Sequence, residues 1–176
     1  MHRLFVALRP PRAMRDALLA MMGGVLHARW QTADQLHLTL RFVGEVDRHQ
    51  AEDVAAALGS VHHPPFALTL DGVGEFDRKG RTDTLWVGVN PHDPVRLLHN
   101  KIDRALQRVG VPPEGRAYLP HITIARFGRS GGEIGRFMET AAVPAIPAEI
   151  TEFCLYESQL GSEGPLYTII ARYPLD

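Results

Sequence analysis

Two segments of this 176-residue chain are near-copies of one another, and they lie nearly half a chain length apart. The first reads His37-Leu38-Thr39-Leu40-Arg41-Phe42-Val43-Gly44, and the second His121-Ile122-Thr123-Ile124-Ala125-Arg126-Phe127-Gly128. Each follows helix-rich sequence and is followed by a further helical pattern. An internal duplication is the reading that accounts for both, with two similar lobes meeting about a pseudo-twofold axis. Alternating side chains on a strand point to opposite faces. His37 and Thr39 therefore share one face, with Leu38 and Leu40 on the other. The same division separates His121 and Thr123 from Ile122 and Ile124. Each lobe is expected to offer an imidazole and a hydroxyl on one side of a strand whose other side is anchored in core.

The remaining pattern is strand and helix in irregular alternation. Strands are expected at 4–8, 36–42, 66–73, 84–89, 121–127, 148–158 and 166–173. Helices are expected at 11–22, 47–58, 93–110 and, more weakly patterned, 133–140. Pro11 suits a first helical turn and Gly23-Gly24 a stop. Asp47 opens the second helix in the manner of a capping box. Asp93 is read as the cap of the third, with Val95, Leu98, Ile102 and Leu106 forming one apolar stripe. Residues 74–83, polar and glycine-containing, read as a hairpin loop. Hairpin-like neighbours outnumber parallel crossovers, so the fold class is α+β with largely antiparallel sheet and outer helices. No linker divides the chain, and residues 1–176 are expected to form a single domain of two closely packed lobes.

Composition narrows the function. A net charge of −1 argues against a broad polyanion-coating surface, so any nucleic-acid contact should be local. The one cysteine, Cys154, sits in an alternating stretch and reads as a buried, inert thiol. The opening apolar run ends at Pro10-Pro11, too soon for a signal peptide, and no run approaches the roughly 20 apolar residues of a membrane span. A cytoplasmic chain with no membrane partner is expected, and nothing requires more than a monomer.

Two imidazoles facing one small group suit a phosphodiester. Its hydrolysis needs a base for the attacking water and an acid for the departing alkoxide, and histidine, with a pKa near 6.5, serves either role at neutral pH. Hydroxyls of Thr39 and Thr123 can donate to non-bridging phosphate oxygens, and an arginine can bind them through paired donors. Arg126 is the obvious candidate, although its odd offset from His121 requires a bulge, a twist or the strand end. Arg41 falls on the His37 face and is a further candidate phosphate contact. Phe42, by alternation, is expected in the core. Arg78, Lys79 and Arg81 read as a solvated loop tip, and His99 with Asp103 as a solvated helix face. The other histidines lack a metal-ligand spacing, and neither motif brings the carboxylates of a metal-dependent phosphatase.

These residues resemble the 2H phosphoesterase superfamily, whose signature is two H-x-T-x motifs, and within it the RNA 2',3'-cyclic phosphodiesterases, or 2'-5' RNA ligases. The likeness also covers Arg3-Leu4-Phe5-Val6-Ala7-Leu8, Leu85-Trp86-Val87-Gly88-Val89, Leu155-Tyr156-Glu157-Ser158-Gln159-Leu160 and Tyr167. It implies two lobes around a central cleft. It further implies cofactor-free, metal-independent opening of a 2',3'-cyclic phosphate, on an RNA end or a nucleotide, to a 2'-phosphate. His37 would be the acid to the leaving 3'-oxygen and His121 the base, with weak reverse 2'-5' joining. An RNA-end binding module using the same pocket without turnover is the competing reading.

Overall fold

In the computed structural model, which describes residues 1–129 and 131–176, the chain is α+β and its strands join in one antiparallel sheet. In chain order the elements are β1 (His2–Leu8), α1 (Arg12–Ala20), β2 (Arg29–Trp30), β3 (Leu38–Val46), α2 (Arg48–Leu58), β4 (Phe66–Arg78) and β5 (Arg81–Asn90). There follow α3 (Asp93–Gln107), β6 (His121–Arg126), α4 (Gly135–Thr140), β7 (Pro147–Ile150), β8 (Glu152–Gly161) and β9 (Gly164–Pro174). The order across the sheet is β7-β4-β5-β6-β3-β1-β8-β9, with β2 beside β6.

That order exposes the duplication. The unit β1-α1-β3-α2 has its counterpart in β5-α3-β6-α4. In each, the next long strand crosses to the other half: β4 pairs with β5, and β8 pairs with β1. The halves are thus woven together into one sheet. At the centre, β3 and β6 share a single registered pair, Leu38 with Ile122.

Apolar alternation decides which face carries the helices. Leu4, Val6, Leu8, Leu38, Leu40, Ile122 and Ile124 are buried in one cluster with Leu98, Ile102 and Leu106 of α3 and Val54 and Leu58 of α2. The alternate residues of β1, Phe5 and Ala7, join Cys154 and Tyr156 in a smaller cluster on the opposite face. Cys154 is buried there, and burial pushes its thiol up to about 12, as the sequence reading expected. Asp47 caps α2 by accepting from the Gln50 amide at 2.8 Å. The cap of α3 is His92, not Asp93, which lies in the first turn ahead of Pro94.

Two expectations are corrected. The ten-residue loop at 74–83 is a continuation of β4 and β5 around a two-residue turn, in which Lys79 and Gly80 both have positive φ. Turns of that kind match the right-handed twist of the flanking strands. Its polar residues belong to an exposed hairpin, for which polarity is no obstacle to pairing. The strand read at 148–158 is two strands on different parts of the sheet, because β7 pairs with β4 and β8 with β1.

Gly74 carries a close approach. A Cβ there would lie 2.2 Å from Cζ2 of Trp86, its partner across β4 and β5. Gly74→Ala must displace that ring, and overpacking of this kind costs about 1–3 kcal/mol. We expect a urea midpoint lowered correspondingly and altered Trp fluorescence, because Trp86 also packs on His121 with ring centroids 5.8 Å apart.

Candidate active site

The face of the sheet away from the helices holds a cleft of about 580 Å³ straddling the β3–β6 junction. Sites for small ligands commonly fall in the range of roughly 300–1,000 Å³. His37, Thr39, Arg41, His121, Thr123 and Arg126 all line it, so the structure gathers all six residues singled out as site candidates around one cleft.

Both imidazoles are oriented by the same device. His37 Nδ1 lies 2.7 Å from the Gln35 carbonyl, and His121 Nδ1 lies 2.7 Å from the Leu119 carbonyl. A carbonyl oxygen can only accept, so each Nδ1 carries the proton and each Nε2 of the neutral ring is left with a lone pair. Around His37 stand Phe5, at 4.9 Å between centroids, and Tyr167, edge-on at 5.2 Å. Around His121 stand Phe76, edge-on at 5.0 Å, and Trp86. The surroundings differ in one polar respect: Thr39 Oγ1 is 3.0 Å from His37 Nε2 and donates to it when the ring is neutral.

The environment favours neutral rings in the empty cleft. Burial is the main cause that lowers His37, to about 4, with the Arg126 and His121 charges adding to it and the Gln35 carbonyl opposing it. Burial likewise lowers His121, helped by Arg126 and opposed by the Leu119 carbonyl.

Arg126 reaches the cleft through a bulge. Leu85 pairs with Ala125, but the next residue, Trp86, pairs with Thr123, so Ile124 is passed over and the alternation changes phase. The same irregularity occurs on β3. Val6 pairs with Arg41 and Ala7 with Thr39, passing over Leu40. The two bulges occupy equivalent places in the repeat. Each turns the fifth residue after the histidine toward the cleft, and these fifth residues are Arg126 and Phe42. Phe42 is accordingly 57% exposed and lines the cleft, which corrects its expected place in the core.

The bulge on β3 changes the face of Arg41 too, although the residue still borders the cleft. Rotated off the His37 face, it is only 6% exposed. Its Nε donates to Asp103 at 2.8 Å, and its terminal nitrogens donate to the carbonyls of Phe42 and Pro112. Arg41 is thereby committed to the protein, and its counterpart in the repeat is the small, buried Ala125. Asp103 and His99 are not a solvated helix face: Asp103 is held below the usual carboxylate range by its Arg41 and Glu114 hydrogen bonds against the opposing effect of burial, and His99 is buried.

Sequence reading missed Phe76 and Tyr118, which also line the cleft. Phe76 lay in the segment read as loop. Aligning the two motifs histidine to histidine does pair Phe42 with Arg126, and that alignment is the one signal that could have placed Phe42. For Tyr118 no local pattern exists, since it precedes β6 in irregular chain. Among the described residues, no three His, Cys, Asp or Glu side chains gather into a metal-binding group, and no helix is long and apolar enough to cross a membrane.

Comparison with known proteins gives concordant results. The family model described as the 2'-5' RNA ligase superfamily matches residues 9–161. A Thermotoga maritima protein named RNA 2',3'-cyclic phosphodiesterase is 31% identical over 145 residues, which cover 81% of this chain and 77% of that protein. An Escherichia coli protein of the same name is 29% identical, covering 99% and 97%. The crystal structure of E. coli LigT complexed with 3'-AMP superposes with a TM-score of 0.80 at 28% identity, covering 99% of this chain and 98% of that one.

The lowered His37 pKa has a consequence for stability. Between about 6.5 and about 4 the unfolded chain binds a proton at this position that the folded chain refuses. Stability therefore falls as pH drops through that window and recovers as pH rises through it. His37→Gln should flatten this acid-side slope, as measured by urea unfolding at a series of pH values between 7 and 4 (on the order of one pH unit apart). An unchanged slope would show that His37 is not the group responsible.

Proposed function

The chain belongs to the 2'-5' RNA ligase superfamily, and on that footing we propose that it is an RNA 2',3'-cyclic phosphodiesterase working by two-histidine acid–base catalysis. The observation that carries the reading is the paired presentation of two imidazoles into one cleft beside Arg126, each with its Nδ1 tied to a carbonyl and its Nε2 left for chemistry.

In the proposed reaction the cyclic phosphate lies between the two rings, with non-bridging oxygens bound by Arg126 and the Thr39 and Thr123 hydroxyls. His121 Nε2 takes a proton from water as its oxygen bonds to phosphorus. The P–O3' bond breaks, and the 3'-oxygen receives the proton held on His37 Nε2. The product is a 2'-phosphomonoester with a free 3'-hydroxyl. Proton exchange with solvent restores the two rings. Each acid or base contributes roughly 10²–10⁴ in rate. Metal independence belongs to the proposal, because both proton transfers have an imidazole to carry them. With a 5'-hydroxyl in the place of water, the same groups would add it to the cyclic phosphate and release the 3'-hydroxyl, leaving a 2'-5' phosphodiester, which is the weak ligase reaction. Phe42, in the place equivalent to Arg126, offers an exposed ring on which the terminal base can stack.

The acid role of His37 needs the substrate's own charge. Burial, with the neighbouring Arg126 charge adding to it, drives the proton off. An anionic phosphodiester bound among Arg126, His121 and His37 offsets that charge and draws the proton back.

Turnover of 2',3'-cyclic AMP should persist in EDTA, and His37→Ala and His121→Ala should each lower kcat by about 10²-fold or more. Phosphorus NMR should show the 2'-phosphate. A 3'-phosphate would overturn the direction assigned to the proton pair, and tight binding without product would make the chain a binding module. The pH profiles should be bell-shaped. Since kcat/KM reports the free enzyme and kcat the complex, both limbs of kcat should lie at higher pH than those of kcat/KM. Coincident limbs would mean that the bound anion does not control the rings.

A further inference from the structure

We propose that Tyr118 is a positioning residue, a strut whose hydroxyl holds the two half-sites at working distance by gripping the backbone of the first motif. Beyond the Leu38–Ile122 pair, β3 and β6 share no further registered residues. Thr39 and Leu40 are the first residues of β3 past that junction. Their carbonyls accept from the Tyr118 hydroxyl at 2.8 Å and from His99 Nδ1 at 2.6 Å. The two donors brace each other, with rings stacked at 4.0 Å and 5° apart.

The ends of this strut are what make it more than a buried tyrosine. Thr39 carries the hydroxyl that meets His37 Nε2. Tyr118 lies three residues before His121 and adjoins Leu119, whose carbonyl orients the His121 ring. One hydrogen bond therefore links the partner of the first imidazole to the segment that sets the second. The beginning of that segment is fastened separately, through Arg41 on the Pro112 carbonyl and the Glu114 amide on Asp103 at 3.3 Å. Arg41 thus anchors the far end of the segment, and Tyr118 the end beside the chemistry. Burial raises the Tyr118 hydroxyl's pKa, which keeps it a protonated donor across the working pH range.

A tyrosine that merely satisfied a buried carbonyl would affect stability alone. Tyr118→Phe removes one oxygen and leaves the stacked ring, so it separates the two roles. Misplacement by about 1 Å can cost on the order of 10²-fold in rate. We expect kcat on 2',3'-cyclic AMP to fall at least tenfold, more than KM rises, with a cooperative unfolding transition retained. Water admitted beside His37 should also move its titration, followed by the imidazole C2 proton in NMR, from about 4 toward the ordinary value near 6.5. His99→Gln keeps a donor for Leu40 while removing the brace, and should move that titration the same way.

Wild-type kcat in Tyr118→Phe with an unmoved His37 titration would overturn the strut. The proposal rests on the phosphodiesterase reading only for its kinetic arm. Should the wild-type protein not hydrolyse 2',3'-cyclic AMP, that reading falls, and the His37 titration in the two variants decides the strut alone.

Discussion

The centre of this sheet is held by one pair of residues. Leu38 and Ile122 join the half containing β1, β3, β8 and β9 to the half containing β4, β5, β6 and β7. Full pairing of β3 along β6 would run a closed ladder through the middle of the sheet. A single pair instead keeps the strands together at the point where the two histidines begin their motifs and lets them diverge beyond it. The divergence is the cleft. Leu38 and Ile122 are each almost fully buried, and burying side chains of this size stabilises by roughly 1.5–3 kcal/mol apiece. With Leu40 and Ile124 beside them in the same core, the apolar backs of the two motifs hold the polar fronts against each other.

Divergence leaves backbone groups that a ladder would have satisfied, and unpaired buried carbonyls are costly. The structure meets this with side chains brought from α3 and the chain after it: His99, Tyr118 and the Arg41–Asp103 ion pair. Such a pair must satisfy its remaining donors to offset desolvation, and Arg41 does so on two carbonyls. The polar groups between β3 and the segment before β6 therefore border the cleft and hold its backbone at once. This explains why the arginine inside the first motif spends its donors on Asp103 and two carbonyls.

The motifs, the fold class, the helices and the imidazole pair were legible in the sequence because alternation, capping and apolar stripes are local signals. The failures share a cause. Arg41 and Phe42 exchanged faces through a bulge at Leu40, the counterpart of the bulge at Ile124 by which Arg126 reaches the cleft as expected. Those bulges are defined by what lies across the ladder, Val6 and Ala7 in one case and Leu85 and Trp86 in the other. Partners so distant in sequence leave no trace in a local window. The division of 148–158 between distant strands is of the same kind. The hairpin at 74–83 failed differently: solvent faces both its sides over much of its length, so apolar alternation was never there to be read.

A twofold by itself would make the two histidines equivalent, and equivalent rings cannot be acid and base. What distinguishes them lies where the repeats depart from one another. His37 has a hydroxyl on its Nε2 and stands between Phe5 and Tyr167, whereas His121 adjoins Phe76 and Trp86. The same bulge that delivers a guanidinium on one side delivers a phenyl ring on the other. In the proposed reaction a phosphate centred between the rings would be bound unsymmetrically, its charge toward Arg126 and its nucleoside toward Phe42. With the nucleoside so placed, the leaving and attacking oxygens would occupy different sides, and each imidazole would have one proton transfer within reach. On that proposal the duplication supplies two interchangeable groups, and the divergence of two residues five positions beyond them would give the reaction its direction.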